Sequence, residues 1–238
     1  LRIVVPELDG PEFLGSGHVG PPYTQADLDR LAALGANYVN VSGPGLFTMK
    51  PPYGLDERVQ AEWDRLLAMI LQADLFAVIT FRTGPGRSDF TFYRDGAGDW
   101  FDRDLLIESV WTEQAAQDAW VAMWRHAAER YRGHKAVVGY DLMCEPNAPG
   151  ALFEIWEPDE FMERHAGTLA DWNQLYPRIS RAIREVDRDT PVLIGAMGWS
   201  GVAWLPTLRP TGDPRTVYMV HQYEPQEAYT HQDRKGRH

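Results

Sequence analysis

Two rhythms of apolar and polar positions run along this chain. Short apolar runs predict strands at 38–42, 75–81, 136–143, 191–196 and 216–220, with a weaker one at 12–16, and the continuous run 75–81 predicts a strand buried on both faces. Between them the apolar residues recur every three or four positions. Thr24, with Asp27 three residues on as an approximate capping box, predicts a helix that runs to about Leu34 and ends at Gly35. The stretch 57–73 puts Trp63, Leu66, Leu67 and Ile70 on one face, and 112–131 aligns Ala116, Trp120, Met123, Trp124, Ala127, Ala128 and Tyr131. A further helix is predicted over 172–187. A long loop rich in Gly and Asp follows one strand, from Arg82 to about Ser109, and a second long loop runs from Glu145 to about Leu169.

Strands that alternate with helices predict βαβ units and a parallel sheet, an α/β fold. Long loops after the strands suit a (β/α)8 TIM barrel, where that end of the sheet carries the chemistry. With 238 residues the chain matches a single barrel of about 250. Six strands can be counted where closure needs eight. The expectation is therefore one catalytic domain over 1–238 that lacks its last two strands and is completed by further chain or by another segment. The polar tail 233–238 does not read as a finishing strand.

Charge narrows the partners. There are 23 Lys and Arg against 34 Asp and Glu, a formal net charge of −11. Such a surface repels phosphate backbones and anionic lipid, so neither nucleic acid nor membrane is expected, and a neutral polysaccharide is compatible. No apolar run approaches the roughly 18 residues of a membrane span. The single cysteine, Cys144, permits no internal disulfide. The chain starts at Leu1 rather than Met and carries no readable signal peptide. An extracellular setting is favoured, with a monomer expected if the domain is complete.

The densest local signal is Gly139-Tyr140-Asp141-Leu142-Met143-Cys144-Glu145-Pro146-Asn147. A strand runs into a Glu, and Pro stops it there, which sets a carboxylate at the strand's C-terminal end. This segment resembles the Asn-Glu-Pro signature of the cellulase family, family five of the glycoside hydrolases. Similarity continues on both sides. Trp120 to Tyr131 with Val137-Val138-Gly139-Tyr140 resembles the helix and strand leading in, and Asp171-Trp172-Asn173 through Asp189-Thr190-Pro191 resembles the next helix and strand start. Val217-Tyr218-Met219-Val220-His221-Gln222-Tyr223 resembles the sixth strand with its His-x-Tyr, followed by Thr230-His231-Gln232. The resemblance spans roughly Gly15 to Gln232.

What it implies is a retaining β-glycosidase acting on β-linked polysaccharide or oligosaccharide of the glucan or mannan type. Glu145 would be the general acid/base, and His221 and Tyr223 would bind substrate or orient the nucleophile. The nucleophile itself would end a seventh strand, which this sequence does not display. Three positions depart from the family. Cys144 replaces an Asn whose amide meets the sugar 2-hydroxyl, and a thiol is a poor donor. Asn40 stands where an Arg is usual, and Arg82 where a His is common, so Arg82 could supply the cation that Asn40 lacks.

Nine Trp are many for this length. Trp63, Trp120, Trp124 and Trp172 read as core. Trp100, Trp111, Trp156, Trp199 and Trp204 fall in or near loops, where a flat face can either pack the loop or stack on a sugar ring, and Trp199 is the favoured platform. His18, after the first strand, could face the mouth. The seven His are scattered and form no metal motif, and Gly84-Pro85-Gly86 is a turn rather than a phosphate loop, so no cofactor or metal is expected. The competing reading is a catalytically weak or inactive relative that binds carbohydrate without cleaving it.

Overall fold

A computed structural model describes residues 23–99 and 101–222. The predicted strand at 12–16, His18, Trp100, Tyr223 and the Thr230-His231-Gln232 segment lie outside them. Five strands form one parallel sheet in the order β1 (Tyr38–Gly43), β2 (Phe76–Phe81), β3 (Val137–Asp141), β4 (Val192–Gly195), β5 (Thr216–Met219). Each lies within two residues of its predicted span. For β2 the continuous apolar run is the reason: with helices packed outside, the strand is buried on both faces, Ala77 to Phe81 being at most 4% exposed. Gly139 lets β3 close on its neighbours, since a Cβ there would meet Leu193 Cδ1 at 2.7 Å and Val78 Cγ2 at 3.0 Å.

α1 (Gln25–Ala33) precedes β1, and the crossovers between the first four strands are α2 (Glu57–Gln72), α3 (Gln114–Tyr131) and α5 (Trp172–Val186). At the start of α1, Asp27 reaches back to accept from the Thr24 backbone N–H at 2.9 Å and its hydroxyl at 2.7 Å, the half of the box that the spacing predicts. Asp56 caps α2 by accepting from the N–H groups of Arg58 and Val59. The predicted faces of α2 and α3 are the buried ones. Trp63, Trp120, Trp124 and Trp172 are all at most 1% exposed, as read from the sequence.

Both long loops carry structure of their own. The first is gathered by Glu108, which accepts from Thr91 Oγ1 at 2.6 Å and Arg94 Nη1 at 2.8 Å. The second contains α4 (Pro158–His165), a helix the sequence reading passed over. Its signals were there: Pro at the first helical position, Asp159 and Glu160 in the first turn, Arg164 and His165 in the last.

Candidate active site

The site forms where β3 leaves the sheet. Leu142 still donates to Leu193 O at 3.1 Å, and Cys144 to Phe81 O at 2.9 Å. The Leu142 carbonyl accepts from two indoles of α3 instead of a strand, Trp124 Nε1 at 2.8 Å and Trp120 Nε1 at 3.2 Å. Glu145 then enters the left-handed region at φ +49, which costs an L-residue free energy unless its surroundings hold it there. The carboxylate emerges at the C-terminal edge of the sheet, with the side chain 16% exposed. Its Oε1 lies 2.7 Å from His221 Nδ1. Two residues read from the sequence as site residues, 76 positions apart, are thereby brought together.

His221 follows β5, and its backbone N–H donates to Ser200 O at 2.9 Å. Ser200 belongs to a left-handed turn, Gly198, Trp199 and Ser200 all having φ near +60. One strained turn therefore seats His221 and presents Trp199. The hydrogen bond to Glu145 is the largest influence on the His221 imidazole and raises its pKa, burial opposes it, and the charges of Glu145 and Asp141 raise it further.

Beneath Glu145 lies Arg87, 2% exposed. Its Nη1 donates to Cys144 O at 2.7 Å and Arg82 O at 3.1 Å, and its Nη2 to Glu145 O at 2.9 Å. Burial lowers this guanidinium to about 10. Sequence reasoning missed it, because an Arg in a polar loop looks like surface and its partners are main-chain carbonyls 57 and 58 residues away.

Arg82 donates through Nε to Asp89 Oδ1 at 2.8 Å, lies 3.8 Å from the centre of the Phe92 ring, and approaches Cys144 Sγ with Nη1 at 3.8 Å. Burial works against its charge, and Asp89 followed by Cys144 more than restores it. The Cys144 thiol is pushed up to about 11, chiefly by burial. Asn40 points its Oδ1 at Thr80, whose hydroxyl donates to it at 2.8 Å and sits 3.1 Å from Asp141 Oδ2. Asp141 is 1% exposed with its Oδ1 unpartnered, and burial pushes its carboxyl up to about 7 against the pull of Thr80 and His221. It too was missed, although an acid inside an apolar strand is a visible signal.

A cleft of about 580 Å³ opens between 91–96 and 147–156, with Asn147, two residues after Glu145, on its wall. Trp156 and Trp199 line it as a stacked pair, ring centres 5.5 Å apart and planes at 16°, with 56% and 39% of their surfaces exposed. Two other loop tryptophans prove to be core. Trp111 packs edge-on against Trp172 and Trp204 edge-on against Phe161, at 2% and 6% exposure, so neither can stack on a sugar. Among the described residues no group of three His, Cys, Asp or Glu is gathered closely enough to hold a metal ion, and no helix is long and apolar enough to cross a membrane.

Comparison with known proteins gives this geometry a context. An endoglycoceramidase from Cyanea nozakii is 30% identical over 111 residues, which is 45% of this chain and 21% of that protein. Endoglucanase C from Acetivibrio thermocellus is 27% identical over 130 residues, 55% of this chain and 32% of its own length. Among solved structures, Cel5A of Thermotoga maritima in complex with cellobiose superposes with a TM-score of 0.65 at 19% identity, over 92% of this chain and 59% of that one. A hyperthermophilic endo-β-1,4-glucanase in complex with substrate gives 0.64 at 18%, over 93% and 58%. The fold is thus that of (β/α)8 barrels, of whose length this chain spans about three-fifths, and it spans a third or less of these curated relatives. The model of the cellulases, glycosyl hydrolase family 5, matches residues 9–237, and the chain belongs to that family.

Proposed function

We propose that this chain forms part of a retaining β-glycoside hydrolase in which Glu145 is the general acid/base. The observation that carries the reading is the placement of Glu145: a carboxylate just past the C-terminal end of a parallel strand, 2.7 Å from His221 and two residues before Asn147 in the wall of an aromatic cleft. In the first step Glu145 gives its proton to the leaving glycosidic oxygen as the nucleophile attacks the anomeric carbon. In the second it takes a proton from water, which attacks the glycosyl-enzyme. The Glu145–His221 contact holds one proton. Once Glu145 has given its own away, the imidazole N–H is in place to stabilise the new carboxylate. The attacking carboxylate is expected to stand on the seventh strand of the completed barrel.

The cleft supports a carbohydrate polymer as the substrate class. Stacked indoles with exposed faces suit the apolar faces of sugar rings, and the neighbouring polar groups Thr91, Asp95 and Asn147 suit hydroxyls. A β-linked glucan or mannan is the substrate proposed, in keeping with relatives described as endoglucanases. Glu145→Gln tests the reading. It should lower kcat/KM by roughly 10²–10⁴-fold on a glycoside with a poor leaving group, and far less on an aryl glycoside whose leaving group needs no proton. An equal loss on both, or none, removes Glu145 from the role. Binding of oligosaccharide without any turnover by the natural enzyme would instead mark a carbohydrate-binding relative.

A further inference from the structure

The buried Arg87 has no part in the chemistry above, yet every hydrogen bond its guanidinium makes among the described residues ends on the segment that carries Glu145 or on the strand end beside it. We propose that Arg87 is a positioning residue, a clamp that fixes the backbone of Cys144 and Glu145 and thereby holds the Glu145 carboxyl against His221. The functional part of this inference rests on Glu145 being the acid/base.

Three observations converge on it. First, Glu145 combines φ +49 with a following proline, and a residue before proline is already restricted in the backbone it can adopt. Such a conformation persists only where the surroundings over-determine it. The guanidinium does so by binding the carbonyls on both sides of the Glu145 α-carbon, those of Cys144 and Glu145 itself. Second, these carbonyls lie past the end of β3 and need partners that the ladder does not provide. Third, a buried charge that ends on neutral carbonyls is a costly way to fill space, since a hydrophobic side chain of similar volume would serve stability as well or better. What the guanidinium adds is a rigid planar fork, which reaches the two successive carbonyls with separate nitrogens, 2.7 and 2.9 Å away. Lysine, a single rotatable donor head, cannot reproduce it.

The measurable consequence is the coupling between Glu145 and His221, whose imidazole faces Glu145 and Asp141. His221 can be titrated by NMR in the natural protein, in Glu145→Gln, in Arg87→Lys and in Arg87→Gln, its resonance assigned by its loss in His221→Asn. Circular dichroism and melting establish which variants fold. Glu145→Gln sets the uncoupled limit. The clamp predicts that a folded Arg87 variant moves the His221 midpoint most of the way from the natural value towards that limit. It also predicts a fall in kcat/KM of about 10²-fold on the poor leaving group, in line with an ångström-scale misplacement, with KM changed less than about two-fold. A folded variant with the natural His221 midpoint overturns the inference. So does failure of both variants to fold, since Arg87 would then serve the fold as a whole. The leaving-group dependence of Glu145→Gln tests the acid/base reading separately, so the two can fail independently.

Discussion

Asp141→Asn is the sharpest test of how the sheet interior is charged. The carboxyl is 1% exposed, and burial pushes it up to about 7 from an ordinary 3.8. Proton counting agrees. Thr80 has one hydroxyl proton and two oxygen neighbours, Asn40 Oδ1 at 2.8 Å and Asp141 Oδ2 at 3.1 Å. Both contacts are filled when Asp141 carries a proton, donates it to Thr80, and Thr80 donates to Asn40. Between pH 4 and 7 the native state alone keeps that proton. The stability this group contributes is therefore complete below about pH 4 and is lost as pH rises through 7. At 1.36 kcal/mol per unit, the gap from 3.8 to about 7 is worth about 4 kcal/mol. The amide of the variant donates to Thr80 without ionising, so its curve should lack this slope. In denaturant titrations from pH 4 to 8, the variant should gain about 4 kcal/mol relative to the natural protein. That corresponds to roughly 8–16 °C in Tm for a domain of this size. Parallel stability curves, or a variant that loses ground above pH 7, would refute the reasoning.

Two further outcomes follow from contacts in the cleft and beside Glu145. A Cβ at Gly150 would meet the Trp156 ring at 2.7 Å and Asn147 Nδ2 at 2.8 Å, so Gly150→Val should tilt Trp156 off Trp199. Losing a stacking contact of about 0.5–1.5 kcal/mol should raise KM about 2–10-fold and alter tryptophan fluorescence; an unchanged KM with unchanged emission would count against the platform. Cys144→Asn should raise the rate on a 2-hydroxy sugar more than on its 2-deoxy counterpart, because an amide can donate where the thiol, neutral at pKa about 11, donates weakly. A fall on both sugars would mean that the pocket is built around Cys144 and Arg82 as they stand.

β2 was legible because a strand buried on both faces leaves an unbroken apolar run, the other strands because shorter apolar runs recur between the helices, and the helix faces because burial on one side leaves a 3.6 period. Glu145 and His221 were legible as motif residues, Glu145 through Pro146, which marks the strand's end, and His221 through its place after β5. Trp111 and Trp204 stayed open between loop packing and platform because a loop residue's burial depends on what packs over it, and local pattern does not encode that. Arg87 was illegible for a related reason. Its partners are carbonyls, which every residue possesses, so no residue type at the far end betrays the contact. Asp141 could have been found, since one acid in an otherwise apolar strand must either pair or hold a proton.

The two indoles on the Leu142 carbonyl bear on the order in which the site assembles. They come from only 22 and 18 residues upstream, whereas Arg87 reaches across 57 and 58 and His221 across 76. Closing the widest of these loops costs about 1.3 kcal/mol more chain entropy than closing the narrowest. The α3–β3 unit thus carries its own fastening for the strand end and can set it before distant chain arrives. The imidazole closes the widest loop and is the costliest of these ties in chain entropy, so the turn that aims Glu145 is fastened by contacts that do not depend on it.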